Sequence, residues 1–398
     1  MLIEIIIALL FGILTGTFTG LFPGIHINLV GAALIALSSS FLAGISPIYL
    51  VVFIAALAIT HTFVDFIPGI FLGCPNPDTE LSVLPGHEML RKGEGYQAIM
   101  RTASGGLISV FLLIILAFPL SFVVSKIYPL IQKAIPYILI LVCFIMVISE
   151  RKRKIKALTV LALTGILGTC VLNLDLREPL LPLLSGLFGS SMLLISINQN
   201  TKIPGQNLIF KKLKIKELAK PVSGALIASP LCGFLPGLGG GQAAVIGNQI
   251  SKTDEKGFLI LLGAVNILVM GLSFVSLYSI SRTRTGAAAA IQSLLGTMNS
   301  ATLILILFVC LISGIISFFL VKKISIIFLK IIEKINYKKL SIGIIALLSI
   351  IIILISGPLG FLVFAISTAT GIYCILTNVR KTQMMGCLLI PTIILYLF

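Results

Sequence analysis

The chain has 398 residues, 58% of them hydrophobic and 11% charged, with 29 Lys and Arg against 13 Asp and Glu. That composition excludes a water-soluble globule, whose residues are ordinarily about a quarter charged, and makes the bilayer the solvent. The formal charge of +16 does not indicate nucleic acid, because the basic residues fall in short connectors between apolar runs, where they set membrane orientation.

The first apolar run, Leu2–Phe22, carries Glu4 and no basic leader, so it is expected to be a retained helix and not a signal peptide. Pro23 and Gly24 end it. Further runs at 104–124, 136–149, 158–174, 301–320 and 340–355 are long and apolar enough, singly or with modest extension, to cross about 30 Å of hydrocarbon. Without strict alternation of apolar and polar residues they read as helices and not barrel strands, so the fold class is all-α: a polytopic membrane protein with about 10–12 spanning or half-spanning segments. Four basic clusters, Arg151–Lys156, Lys202–Lys220, Lys322–Lys339 and Arg380-Lys381, are placed on the cytoplasmic face. The seven cysteines form no CxxC pair and lie mostly in apolar runs, which indicates no disulfide framework.

Comparing the chain with itself reveals a repeat. Gly20-Leu-Phe-Pro23-Gly24-Ile-His26 recurs as Gly233-Phe-Leu-Pro236-Gly237-Leu-Gly239, each time at the end of an apolar run. Each copy is followed by another apolar run, then by a polar segment (73–80 or 279–286), then by a long apolar helix. Counting crossings from the basic connectors makes the two units inverted, an arrangement that places the site where interrupted helices meet. The expected units are 1–130 as the first repeat, 131–220 as connecting helices, 221–325 as the second repeat and 326–398 as C-terminal helices.

Three groups of residues are candidates for chemistry. At the breaks, proline removes a backbone donor and glycine permits positive φ, so Pro23, Gly24, Pro236 and Gly237 should expose amides within the membrane. His26 and Asn28 follow the first break. Gly239, Gly240, Gly241 and Gln242 extend the second into a nest able to hold an anionic oxygen, although close helix packing by small residues explains the same glycines. Secondly, His61 and Asp65 are four residues apart and share a helix face. With Asn266 they are candidates for coupling to Na+ or H+; a His61–Asp65 pair that only holds the bundle is the alternative. Thirdly, Asn76, Asp78 and Thr79 lie with Glu80 in the first polar segment, and Arg282, Thr283, Arg284 and Thr285 in the second. Two guanidiniums beside hydroxyls suit carboxylates, whereas a solvated loop or ion pairs from Arg282 or Arg284 to Asp78 or Glu80 would leave no such site. No HExxH, GxSxG or phosphate-loop pattern is present, so no cofactor, metal site or catalytic residue is expected.

The sequence resembles the large membrane subunit of tripartite tricarboxylate transporters, the TctA-type family. Its carriers are Gly16-Thr-Phe-Thr-Gly20-Leu-Phe-Pro23-Gly24, the stretch from Pro85 through Arg91-Lys92-Gly93-Glu94-Gly95 to Ala98, Gly233 to Gly239, and Met385 to Pro391. The resemblance implies a permease that takes up carboxylates on an ion gradient, with Pro23, Gly24, Pro236 and Gly237 as site-forming breaks and Gly93-Glu94 as a structural turn. It also implies a small membrane subunit and an extracytoplasmic binding protein as partners. The chain departs from the family pattern at Cys74–Thr79 and at Arg282–Thr285, where substrates should be discriminated. The expectation is therefore a multi-pass permease of the cytoplasmic membrane, an ion-coupled secondary transporter of a small organic anion, not an enzyme, in contact with membrane lipid and possible as a homodimer. A transporter of a cationic or amphoteric solute, or a membrane-embedded enzyme acting on a lipid-linked substrate, are the competing readings.

Overall fold

A computed structural model describes residues 2–22, 44–73, 79–150, 153–198, 204–210, 213–234, 240–332 and 337–397, and among these there is helix and no strand. In hydrocarbon each backbone N–H and C=O needs a partner within its own segment, and the helix supplies one. Among the described residues, seven helices are long and apolar enough to cross a membrane. The chain is therefore a multi-pass membrane protein. Four shorter apolar helices, at 136–148, 180–195, 286–295 and 382–397, accompany them.

In chain order the elements are α1 (Leu2–Leu21), α2 (Pro47–Val64), α3 (Phe66–Leu72), α4 (Glu80–Arg91), α5 (Gly95–Ile148), α6 (Lys154–Leu172) and α7 (Leu180–Leu184). A six-residue π-helix, Ser185–Ser190, leads into α8 (Ser191–Asn198). There follow α9 (Ile215–Phe234), α10 (Gly240–Ser251), α11 (Glu255–Ile280), α12 (Gly286–Leu295), α13 (Ser300–Ile332) and α14 (Tyr337–Leu376). A 3-10 turn, Lys381–Met385, precedes α15 (Gly386–Leu397). Burial sorts the spans: 94% of the apolar window of Pro47–Leu72 and 100% of that of Glu255–Ile280 are buried, against 22% to 44% for the other five. α2 with α3, and α11, are thus the centre of the bundle, and the others turn residues such as Leu14, Ile115, Ile166 and Leu354 outward to lipid.

Glycine contacts fix the direction of each helix. Gly12 of α1 abuts Phe53 and Ala56, Gly16 abuts Leu57 and Thr60, and Gly20 abuts Val64, so α1 and α2 run parallel. In the second half Gly257 of α11 lies against Pro221 and Gly233 against Leu272, so α9 and α11 are parallel too. Parallel neighbours need a return segment between them, and α10 is one: Gly224 of α9 meets Gly247 and Ser251 at its C-terminal end. α5 runs with α11, through Gly105 on Ile260 and Leu113 on Gly271. α13 runs with α2 and α3, through a Ser317–Thr60 hydroxyl bond of 3.0 Å and a Phe71–Phe328 ring contact of 6.5 Å.

The basic clusters gather at one end of this bundle. Arg153 donates to the Thr377 carbonyl at 2.9 Å beside Arg380, and the 204–210 segment docks on the α4–α5 turn through Gln206 and Asn207. Phe71, which meets Phe328 near the third cluster, also packs under Gly95 at that turn. α1, α2 and α13 therefore run toward the basic end, and α5, α9 and α11 run away from it. The 54 residues of α5 would span about 81 Å if straight. Yet Arg101 and Ser149 line neighbouring cavities that share Lys252 and Asp254, so the run doubles back between its two apolar stretches. α14 doubles back as well, at Gly357 (φ 70°) and Pro358.

The Gly93-Glu94 turn is structural, as the resemblance implied. Gly93 has φ 79°, its N–H donates to Leu90 O at 3.1 Å and the Glu94 N–H to Met89 O at 2.8 Å, the paired bonds that close a helix through a left-handed glycine. Glu94 then pairs with Lys256 at 2.7 Å. Before the turn, the Glu88 carboxylate hydrogen-bonds Lys92 and holds its ammonium pKa above the usual lysine value.

The α5–α11 seam makes a test. A methyl on Gly263 would overlap the Thr102 carbonyl, while Gly343 in α14 has open space around it. Gly263→Val is expected to cost about 1–3 kcal/mol or more by overpacking, and Gly343→Ala to be neutral or stabilising by up to about 1 kcal/mol. Thermal unfolding of the detergent-solubilised protein reads both; equal melting temperatures for the two variants would contradict this seam.

Candidate functional site

The end of α9 shows how this chain satisfies a helix terminus in the membrane. The carbonyl of Cys232, in the last turn of α9, is one of those that a helix end leaves without an intrahelical donor. Arg284 supplies one: its Nε donates to Cys232 O at 2.8 Å. A cation at a helix C-terminus is also favoured by the helix dipole. Thr285, next to it, caps α12 by accepting from the Ala288 N–H at 3.2 Å and bonds the Ser273 hydroxyl of α11 at 2.9 Å. Arg282 is exposed at the end of α11 remote from the basic face, its carbonyl accepting from Ser276 at 3.1 Å; Thr283 is half-buried beside it. Of these four sequence candidates, Arg284 and Thr285 thus have defined tasks in closing the end of α9 and starting α12.

Beyond the break, Gly240, Gly241 and Gln242 form the buried first turn of α10. Against it lies Glu80, fully buried at the start of α4: a side chain on Gly241 would collide with Glu80 Oε1. Glycine at this position is what lets the carboxylate approach the helix backbone. α4 runs from Glu80 to Arg91 at the basic end and α10 from Gly241 on to Ser251, about ten residue steps in each case, so both Glu80 and Gly241 sit about 16 Å from that end, near the middle of a core of about 30 Å. Thr79, also buried, and Ser82 face Gly69 of α3, and His87 Nδ1 bonds the Ile70 carbonyl at 2.9 Å, locking α4 to α3.

The first half contributes a second polar centre. His61 Nε2 lies 4.0 Å from Asp65 Oδ2, with both side chains buried, and His61 Nδ1 shares a 3.0 Å hydrogen bond with Thr19 Oγ1 in the last turn of α1. The expected face-sharing of His61 and Asp65 is therefore present. Asp65 sits at the α2–α3 junction. Asn266 is buried in α11, and its neighbour Ile267 flanks Gly106 together with Phe63, so the Asn266 and His61–Asp65 segments lie on either side of one α5 glycine. Pro23, Gly24, His26, Asn28, Asn76, Asp78, Pro236, Gly237 and Gly239 lie outside the described residues.

A cavity of about 940 Å³ opens at the basic end between α4, α10 and α11. Its rim carries Lys252 and Arg380, its wall Asn248 and Gln249, and its inner end Leu81 and Val245, each within about a helical turn of Glu80 or Gly241. The route from the basic face thus leads toward the mid-depth meeting of α4 and α10.

The model of the tripartite tricarboxylate transporter TctA family matches residues 6–386. The chain belongs to this family. An uncharacterized protein of Methanocaldococcus jannaschii is 33% identical over 360 residues, covering 87% of this chain and 88% of the relative. No solved structure matches. Membership makes the protein a membrane transporter. From the sequence, Glu80 reads as an ion-pair partner for Arg282 or Arg284 or, in the alternative of a cationic solute, as a binding carboxylate with Asp65 and Asp78, and not as part of an anion site. The available signal was the pairing of a carboxylate with a Gly-Gly helix start, which only the fold brings together.

Replacing Arg284 by Leu removes the donor from Cys232 O and is expected to lower stability by about 1–3 kcal/mol. Arg282→Leu should stay within about 0.5 kcal/mol, as exposed substitutions do. Thermal unfolding of the two variants side by side checks the assignment; a larger loss in the Arg282 variant contradicts it.

Proposed function

We propose that this TctA-family protein is an ion-coupled secondary transporter of a small carboxylate-bearing anion in the cytoplasmic membrane. The observation that carries the reading is Glu80 against Gly241 at mid-depth, within about a helical turn of Leu81 and Val245 in the cavity wall. The α10 N-terminus directs amides and the positive end of its dipole toward that point, so it favours a carboxylate. The protein's own Glu80 occupies the position a substrate carboxylate would take. Two carboxylates at one buried site cannot both ionise without a compensating charge. An anion can therefore load only with a proton on Glu80 or a cation beside it, and coupling follows from electrostatics. Asp65 with His61 supplies a second buried position for that ion.

We further infer that residues 1–130 and 221–325 are inverted repeats. The opposite directions of α1–α2 and α9–α11 support this, as does the reciprocal packing of α2 on α13 and α11 on α5. Such symmetry lets one repeat rock against the other around a fixed midplane site. With the basic end cytoplasmic, the 940 Å³ cavity is the inward path. The family's tripartite organisation makes a small membrane subunit and an extracytoplasmic binding protein the expected partners.

Uptake by proteoliposomes, screened over mono-, di- and tricarboxylates with sodium or choline outside and with or without a pH gradient, tests the reading. A carboxylate should accumulate only with one of the two gradients. Glu80→Gln, which mimics the protonated acid, should lower gradient-driven uptake about tenfold or more while preserving binding. Accumulation of a cationic solute, gradient-independent uptake, or unchanged coupling in Glu80→Gln would each overturn it.

A further inference from the structure

We infer that the protein carries a second anion site, beside the transport path and sharing Lys252 with its rim, that binds a phosphate group at the basic face between the starts of α9 and α11. The site is a cavity of about 340 Å³ whose wall holds five cationic side chains and two acidic ones. Both acids are already engaged. Glu217 closes the first turn of its own helix, accepting from the Lys214 N–H at 2.9 Å, and lies 3.7 Å from Arg101 Nη2. Asp254 caps α11 by accepting from the Gly257 N–H at 2.8 Å. Lys256 is held by Glu94 at 2.7 Å. Lys216, Lys220 and Lys252 make no ion pair among the described residues, and all three are exposed.

Three further observations point to an anion. The Nε of Arg101 is buried and meets no acceptor among the described residues, a costly state for a charged donor. The N-termini of two helices of 20 and 26 residues turn their positive ends toward the same cavity. Lys252 has φ 48°, a conformation that favours glycine, immediately after α10, so the chain holds a lysine at the cavity wall where a smaller residue would be less strained. The volume far exceeds a single chloride and suits one or two phosphate groups. Ile215, 84% exposed at the first residue of α9, puts the cavity beside the lipid surface. The ligand is thus either the headgroup of an anionic phospholipid or a soluble phosphate compound, two sources of one chemistry.

The test uses the full chain in neutral detergent, at constant ionic strength, with inorganic pyrophosphate as the soluble probe and phosphatidylglycerol against phosphatidylcholine as the lipid probe. Lysine acetylation is followed residue by residue. With a probe at ~10 times its Kd, acetylation of Lys216, Lys220 and Lys252 should slow about tenfold. Lys154 and Lys156, on the same face and exposed, should be unaffected. Protection by pyrophosphate assigns a soluble ligand; protection by phosphatidylglycerol alone assigns a lipid. The same probe should raise the melting temperature of the parent protein and of the Lys154→Gln/Lys156→Gln control but not of Lys216→Gln/Lys220→Gln. Absence of protection with both probes, or equal protection of all five lysines, overturns the proposal, and neither result depends on whether the transported substrate is a carboxylate.

Discussion

A helix that ends within the membrane leaves its last carbonyls without donors, and lipid offers no substitute. Much of the site's architecture follows from how those carbonyls are satisfied. At Cys232 the donor is Arg284, drawn from the stretch between α11 and α12, so the end of α9 is tied to the end of α11. In the first unit the corresponding last turn of α1 carries Thr19, tied to His61 of α2. Each of these helix ends is thus anchored by a polar side chain from the parallel helix it packs beside or from the segment that follows that helix. These ties allow a helix to stop in hydrocarbon and a second to start at mid-depth with its amides turned inward.

Small residues set the rest of the geometry. Gly12, Gly16 and Gly20 let α1 lie on α2, and Gly105 with Gly263 lets α5 lie on α11, at separations a side chain would prevent. Without a hydrophobic drive between helices in lipid, such close van der Waals contact and interhelical hydrogen bonds hold a bundle together. Gly241 uses the same lack of a side chain for another purpose, admitting the Glu80 carboxylate to the start of α10. A packing device and a site device are therefore one residue type in one pattern, which is why the glycines of 239–241 read equally well as either in the sequence.

The charge distribution divides the molecule by depth. Near the middle, Asp65 and Glu80 are the buried acids among the described residues, and each lies beside the start of a helix. At the basic end the excess of lysine and arginine does more than fix orientation: it forms the rim of the larger cavity and the wall of the smaller one. Lys252 belongs to both, so the two cavities are neighbours with a common side chain.

Hydropathy was enough to specify an all-helical membrane protein, the ordered motifs its family, and the four-residue spacing the face-sharing of His61 and Asp65, because each depends on solvent or on residues close together in the chain. The basic connectors likewise foretold a common end. Partners across the bundle were not legible. That Arg284 would serve Cys232 O, that Glu80 would meet Gly241, and that α5 would double back to bring Arg101 and Ser149 to adjoining cavities all depend on which helices pack side by side. Packing of apolar helices in lipid turns on small-residue contacts between segments far apart in the chain, and a single sequence records the glycines but not which of them face one another.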